Sequence, residues 1–197
     1  MDELALIRRA QAGDVEAFNG LVAAYQDRVY NLAYRIMGES AAAADATQEA
    51  FIAAFRGLRD YRGGQFKSWL LRIVTNACYD ELRRRKRRPA DSLDDLAPES
   101  DDPLPLPGND ETPEDHALRG ELRRALEDCI RALPPEHRAL VVLRDVEDFD
   151  YQTIARTTGL ELGTVKSRLS RARAALRDCL RGLGELLPAE YRLKSES

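Results

Sequence analysis

A chain of 197 residues, 44% apolar and 32% charged, can build either one large soluble core or two small ones. No apolar run approaches the roughly 18 to 20 residues that cross a bilayer, which excludes direct membrane insertion, and the charged start MDELALIRRAQAGD has no signal-peptide core, so the cytoplasm is the expected location. The net charge of −4 averages two basic blocks and one acidic stretch, and therefore excludes neither DNA nor RNA as a partner.

In chain order, Leu4 to Ala12 reads as a helix started by Asp2 and ended at Gly13. Asp14 caps a longer helix in which Phe18, Leu21, Val22, Tyr25, Val29, Leu32 and Ile36 recur at three- and four-residue spacing up to Gly38. Ser40 caps a third helix, with Phe51, Ile52, Phe55 and Leu58 expected inward and Asp45, Gln48 and Glu49 on the opposite side. Arg62, Gly63, Gly64 and Gln65 break the pattern.

A fourth helix is expected over about 66–88, with Phe66, Leu70, Ile73 and Ala77 apolar. Arg72, Asn76, Tyr79 and Arg83 share one face, with Trp69 a turn earlier. Cations hold phosphate, a ring stacks on a base and an amide bonds a base edge, so this face suits single-stranded nucleic acid. Core burial of Trp69 is an equal alternative. The unbroken run Arg83 to Arg88 points to phosphate, because six adjacent cations repel one another unless an anion approaches.

Pro89 to Asp115 contains no Lys or Arg, and five prolines fall between Pro89 and Pro107. Such a stretch buries too little to fold alone and reads as a linker over 89–111, able to reach about 80 Å at ~3.3 Å per residue. Thr112 and Pro113 open a helix lined by Leu118, Leu122, Leu126, Ile130 and Leu133. Pro134 and Pro135 open the next, with Leu140, Val141 and Leu143 apolar. From Asp150 to Arg173 two helices joined at Gly159 form a helix-turn-helix, whose second helix sets Val165, Leu169 and Ala172 against Lys166, Arg168, Arg171 and Arg173. The expected fold is all-α, with helical domains at 1–88 and 112–182 on a flexible tether and a short tail over 183–197. Cys78, Cys129 and Cys179 are odd in number, far apart and without CxxC spacing, so they are expected reduced and buried, with neither metal nor disulfide. His116 and His137 are isolated and no catalytic constellation is evident, so the chain reads as no enzyme, without cofactor or small-molecule substrate.

Three blocks together resemble the extracytoplasmic-function (ECF) sigma factors of the sigma-70 family. DATQEAF (Asp45 to Phe51) is similar to the segment that binds core RNA polymerase. FKSWLLRIVTNACYDELRRRKRR (Phe66 to Arg88) is similar to the segment that melts the promoter and reads −10. LPPEHRALVVLRDVEDFDYQTIARTTGLELGTVKSRLSRARAAL (Leu133 to Leu176) is similar to the −35-reading domain. The family often carries an Asp where this chain has Ala42, and Pro or Ser where it has Glu161. The resemblance implies that Asp45, Gln48 and Glu49 bind core polymerase. It implies that Arg62, Gly63, Gly64, Gln65, Trp69, Arg72, Asn76, Tyr79 and Arg83 bind the −10 single strand, with one base flipped. It implies that Thr164, Lys166, Ser167, Arg168 and Arg171 bind duplex at −35, and that an anti-sigma factor is a further partner. The competing reading is a stand-alone helix-turn-helix regulator acting on duplex DNA as a dimer, which leaves DATQEAF and the Trp69 to Arg83 face unused.

Overall fold

The computed structural model describes residues 2–87 and 113–182, the side chains of 113–119 and 121 apart. The expected linker, the Thr112 cap, the Leu118 side chain, Arg88 and the tail lie outside these. Among the described residues eight α-helices follow in order: α1 Glu3–Gln11, α2 Val15–Met37, α3 Ser40–Gly57, α4 Phe66–Arg87, α5 Pro113–Arg131, α6 Pro135–Val141, α7 Tyr151–Thr158 and α8 Leu162–Gly182. Among the described residues there is no strand and no helix long and apolar enough to cross a membrane.

The caps follow from local chemistry. Asp2 accepts from the Ala5 amide at 3.2 Å, and Asp14 from the Ala17 amide at 3.0 Å, each satisfying an amide that has no partner within its helix. Ser40 is not the third cap; it is the first residue of α3, and Glu39 before it makes no side-chain capping bond. Gly38 ends α2 with φ +75°, a left-handed conformation glycine adopts without a Cβ penalty.

α3 is turned differently from the expected orientation. Its inward face is built of Ala42, Ala43, Ala46, Ala50 and Ala54, which let it lie close against α2 and α4; Phe51 is half-buried and Leu58 buried. Ile52 and Phe55, expected inside, are each 45% exposed. The large side chains drew the sequence reading to the wrong stripe, whereas a stripe of five alanines is the one that fits a close helix crossing. In α5, Leu126 is likewise at the surface.

After α6 the backbone loosens into a π-helical turn, Val142–Val146, closed by the Glu147 amide donating to Val142 O at 3.0 Å. Leu140, Val141, Val142 and Leu143 are all buried there. One apolar cluster runs from Leu21, Val29 and Ile36 of α2 through these residues to Ile154, Val165 and Leu169. The N-terminal and C-terminal helical groups are thus docked, α2 on α6 and α4 on α7.

The cysteine expectation fails in part. Cys129 of α5 and Cys179 of α8 form a disulfide, with Cα atoms 5.8 Å apart, within bridging range. A separation of 50 residues hid the pair from any spacing rule. Cys78 is free and fully buried, and burial pushes its thiol up to about 12.

Candidate nucleic-acid interface

Three surfaces carry the candidate residues. The first lies at the start of α4. Gly63 and Gly64 have φ of +94° and +100°, and a Cβ at either would meet nothing within 4 Å, so backbone conformation rather than space selects glycine. Tyr61 Oη donates to Gly64 O at 2.8 Å, and Gln11 Nε2 donates to Leu58 O and Tyr61 O at 3.1 and 2.8 Å, tying the loop to α1. Gln11 was invisible to the sequence reading, because nothing local marks a helical Gln as the anchor of a loop 50 residues on. Arg62, Gly63, Gly64 and Gln65 are exposed, and Gln65 Oε1 accepts from Ser68 Oγ at 3.1 Å.

Trp69 is half-buried. One side of the ring packs with Tyr61 and Phe66, at centroid distances of 5.1 and 5.5 Å. It also borders a cleft of about 310 Å³ with Arg72, Ile73 and Asn76, of which Arg72 and Asn76 are exposed. The opposite wall is Thr153, Arg156 and Thr157 of α7. A second cleft, of about 640 Å³, lies between the glycine loop and the turn Glu147 to Asp150.

Tyr79 departs from its expected place as an exposed group. It is 5% exposed and its hydroxyl has no hydrogen-bond partner among the described residues. Burial holds that hydroxyl well above the ordinary tyrosine range, while the charges of Arg168 and Glu136 act on it from α8 and α6. Helical spacing does put Tyr79 beside Arg72 and Arg83; docking of the C-terminal helices hides it. Arg83 Nη2 donates to Thr158 O, the end of α7, at 2.6 Å. The cationic run is also less bare than expected. Arg84 and Arg85 pair with Glu81, Arg85 with Glu39 at 2.8 Å, and Lys86 with Glu136 at 2.8 Å. Acids distant in sequence relieve part of the repulsion that had pointed to phosphate.

The second surface is the helix-turn-helix. Asp150 caps α7, accepting from the Thr153 amide at 2.8 Å and the Thr153 hydroxyl at 2.7 Å, and the amide bond is the larger cause of its lowered pKa. Gly159 turns the chain with φ +66°, and Val165, Leu169 and Ala172 bury one face of α8. Lys166 and Arg171 are exposed and pair with no acid among the described residues. Thr164 is half-buried and its carbonyl accepts from Ser167 Oγ at 3.1 Å. Arg168 instead turns back to Glu136, which also holds Lys86. Arg173 pairs with Asp145.

The third surface is the outer face of α3. Asp45, Gln48 and Glu49 are all exposed there, joined by Ile52 and Phe55. Ile52 lies one turn beyond Gln48 and Glu49, so helical spacing alone could have added it; the assumption that large apolar groups go inside prevented that.

A helix-turn-helix with an exposed cationic face, beside a helical group presenting a second array of cations, amide and aromatic ring, defines a DNA-binding protein of the transcription machinery. Comparison with known proteins narrows the class. Residues 21–88 match the Sigma-70 region 2 family model, and residues 123–176 match Sigma-70, region 4. The ECF RNA polymerase sigma factor SigE of Mycolicibacterium smegmatis is 43% identical over 83% of this chain, which spans 62% of that protein. The RNA polymerase sigma-H factor of Pseudomonas aeruginosa is 38% identical over 90% of this chain and 93% of its own length. The ECF RNA polymerase sigma-E factor of Escherichia coli is 37% identical over 87% and 90%. Among solved structures, sigma factor RpoE of Bartonella quintana in complex with the anti-sigma factor NepR superposes with TM-score 0.58 and 25% identity, covering 83% of this chain and 96% of that one. CnrH in complex with the cytosolic domain of CnrY gives 0.56 and 26%, covering 92% and 97%. The chain belongs to the ECF sigma factors of the sigma-70 family. It is a specificity subunit that binds core RNA polymerase, recognises the −35 and −10 promoter elements and promotes melting. A stand-alone helix-turn-helix regulator does not account for the region 2 match.

Proposed function

We propose that the three surfaces divide the sigma-factor task as follows, with residues 1–88 forming the region 2 unit, 89–111 the linker, 112–182 the region 4 unit and 183–197 a tail. The α3 face of Asp45, Gln48, Glu49, Ile52 and Phe55 docks on core polymerase, its acids meeting a basic partner surface and its apolar pair losing water. The glycine loop Arg62 to Gln65 receives a base flipped from the −10 strand, where the absence of Cβ atoms lets backbone approach it. Asn76 bonds that base, Trp69 offers a stacking edge, and Arg72 and Arg83 hold phosphate. Extruding a base costs a few kcal/mol, which these contacts together return. Tyr79 joins this surface only after the C-terminal helices leave.

At −35, α8 enters the major groove with Lys166, Arg168 and Arg171 forward, and Thr164 and Ser167 near the backbone. Phosphate contacts dominate affinity and make it salt-dependent, while one or two Arg contacts to guanine carry specificity. The phosphoryl-transfer chemistry belongs to the polymerase, which also places this chain in the cytoplasm. An anti-sigma factor is a further partner, as NepR is in the complex with RpoE of Bartonella quintana. The observation that carries the reading is the presence, in one chain, of an exposed cationic helix-turn-helix face, a second array of cations, amide and ring on α4, and an acidic and apolar face on α3. Run-off transcription tests it: core polymerase plus this chain directs initiation from promoters that core alone does not use. Failure on every promoter, with the chain folded, refutes it.

A further inference from the structure

The glycine loop is held at both ends before any base reaches it. At its entrance the chain passes through a 3₁₀ turn, Leu58–Asp60, against which α1 packs. Gln11, the last residue of α1, aims its amide nitrogen at two carbonyls there, donating to Leu58 O at 3.1 Å and to Tyr61 O at 2.8 Å. Both partners are acceptors, so the position needs a donor with two hydrogens, and a carboxylate of the same shape would repel both. The Tyr61 amide also donates to Leu58 O, at 3.1 Å, which closes the turn.

At the exit of the loop stands Phe66, the first residue of α4, 2% exposed. Its ring meets Tyr25 of α2 at 5.5 Å, Tyr61 at 5.8 Å and Trp69 at 5.5 Å between centroids. α1 reaches this end too, because the Tyr25 hydroxyl donates to the Glu3 carboxylate. Across the middle, Tyr61 Oη donates to Gly64 O at 2.8 Å. Burial, and after it the charge of Glu3, hold the Tyr61 hydroxyl above its ordinary range, so it stays a donor. Gly63 and Gly64, both in left-handed backbone, are the least restrained kind of chain. Left free, such a loop samples many shapes, and ordering it would subtract from the binding of a base. Fixed at Leu58, Tyr61, Gly64 and Phe66, it has lost that freedom on folding instead.

α1 lies before residues 21–88 that match the region 2 model, so that match assigns it no part in DNA reading. We infer that α1 belongs to the −10 reader. Gln11 and the Tyr61 hydroxyl are positioning residues, which act through the loop backbone by holding Arg62 to Gln65 in the shape that receives a flipped base. The inference rests on the base-receiving role proposed above for that loop.

The test uses core polymerase with the full chain on a fork template, duplex at −35 and single-stranded through −10, taken from a promoter that run-off transcription shows to be used. 2-Aminopurine, which brightens on leaving the base stack, is placed at each −10 position in turn, and a second series carries an abasic site instead. Wild type is expected to brighten one position and to lose about tenfold in affinity when that position is abasic. Tyr61→Phe and Gln11→Ala each shrink this base-dependent factor about fivefold, the net worth of one hydrogen bond. Tyr61→Phe keeps the ring contacts, so the test stands even where Gln11→Ala loosens α1. Affinity for the abasic template and for −35 duplex stays at the wild-type value, which a general loosening of the fold would not allow. Wild type that brightens nowhere overturns the role of the loop and this inference with it. Brightening in wild type with an unchanged base-dependent factor in either variant, or an equal loss on the abasic template, overturns the inference alone.

Discussion

Truncating Ile52 isolates the polymerase-facing role proposed for α3. Its side chain is 45% exposed and shares a face with Asp45, Gln48 and Glu49. Complete burial of such a side chain is worth about 1.5–3 kcal/mol, so losing the exposed half to a partner surface is worth about 1 kcal/mol. Ile52→Ala should then raise the Kd for core polymerase about fivefold, and Ile52→Ala with Phe55→Ala about thirtyfold at ~1.4 kcal/mol per decade. Ile52 leads because Phe55 also meets Phe18 edge to face at 4.9 Å, so its removal disturbs the fold side as well. Alanine is the better helix former, so the melting temperature of Ile52→Ala should not fall. The assay is competition of unlabelled variant against labelled wild type for core polymerase, read by anisotropy. Less than a twofold change in Kd for both the single and the double variant refutes an apolar contribution from this face.

Gln48→Ala with Glu49→Ala should weaken the same binding while circular dichroism stays unchanged, and wild-type co-purification with core would remove these two from the interface. Reducing the Cys129–Cys179 bond, which closes a 50-residue loop, should cost the C-terminal helices about 4 kcal/mol by the chain-entropy relation and lower their melting by roughly 15–30 °C; calorimetry showing the same transition with and without reductant would contradict this. Arg171→Ala should lower initiation several-fold only on templates that keep the −35 element, since Arg171 is free of internal ion pairs among the described residues; equal loss on templates without the element would assign it elsewhere. Asp150→Ala should lower the melting temperature at neutral pH. The folded pKa of Asp150 is depressed, chiefly by the Thr153 amide, so the capping contribution is complete above the ordinary carboxylate value near 3.8 and vanishes as pH falls through the lower folded one. A wild-type-to-variant difference that persists unchanged under strong acid would rule out the cap as its source.

Much of this was legible in the residues. Asp14 and Gly38 bracket α2 because a carboxylate satisfies free amides and a left-handed stop needs glycine, both local requirements. The helix-turn-helix was readable for the same reason, as Asp150, Gly159 and the Val165, Leu169 and Ala172 stripe are set by sequence neighbours. What stayed hidden depends on partners far along the chain. The orientation of α3 turned on alanines whose value is how closely two helices approach, and Cys129 finds Cys179 only once α5 lies on α8. Tyr79 was placed correctly on its helix and wrongly in solvent, since the helices that bury it come after the linker. Nothing local to Arg138 says that its acceptors are the last carbonyls of a helix a hundred residues earlier.

The acidic net charge now has a structural use. Arg28, Lys86, Arg168 and Arg173, all suited to a polyanion, are paired in this form with Glu147, Glu136 and Asp145. Solvent-exposed pairs such as Lys86–Glu136 and Arg173–Asp145 contribute little to stability, about 0–1 kcal/mol each, so they are poor candidates for holding a fold together. They are better suited to competition. An acid holding a DNA-reading cation lowers the affinity of the free chain for any duplex, yet a run of phosphates backed by counterion release can displace it when a second contact supplies the orientation. On the proposed role of α3, core polymerase supplies that contact at a face whose Asp45, Gln48, Glu49, Ile52 and Phe55 are already exposed. Unspecific DNA then meets a chain in which Lys86, Arg168 and Arg173 are already paired, while Lys166 and Arg171 stay exposed without an acid partner among the described residues, so the paired cations and not the whole basic face are withheld.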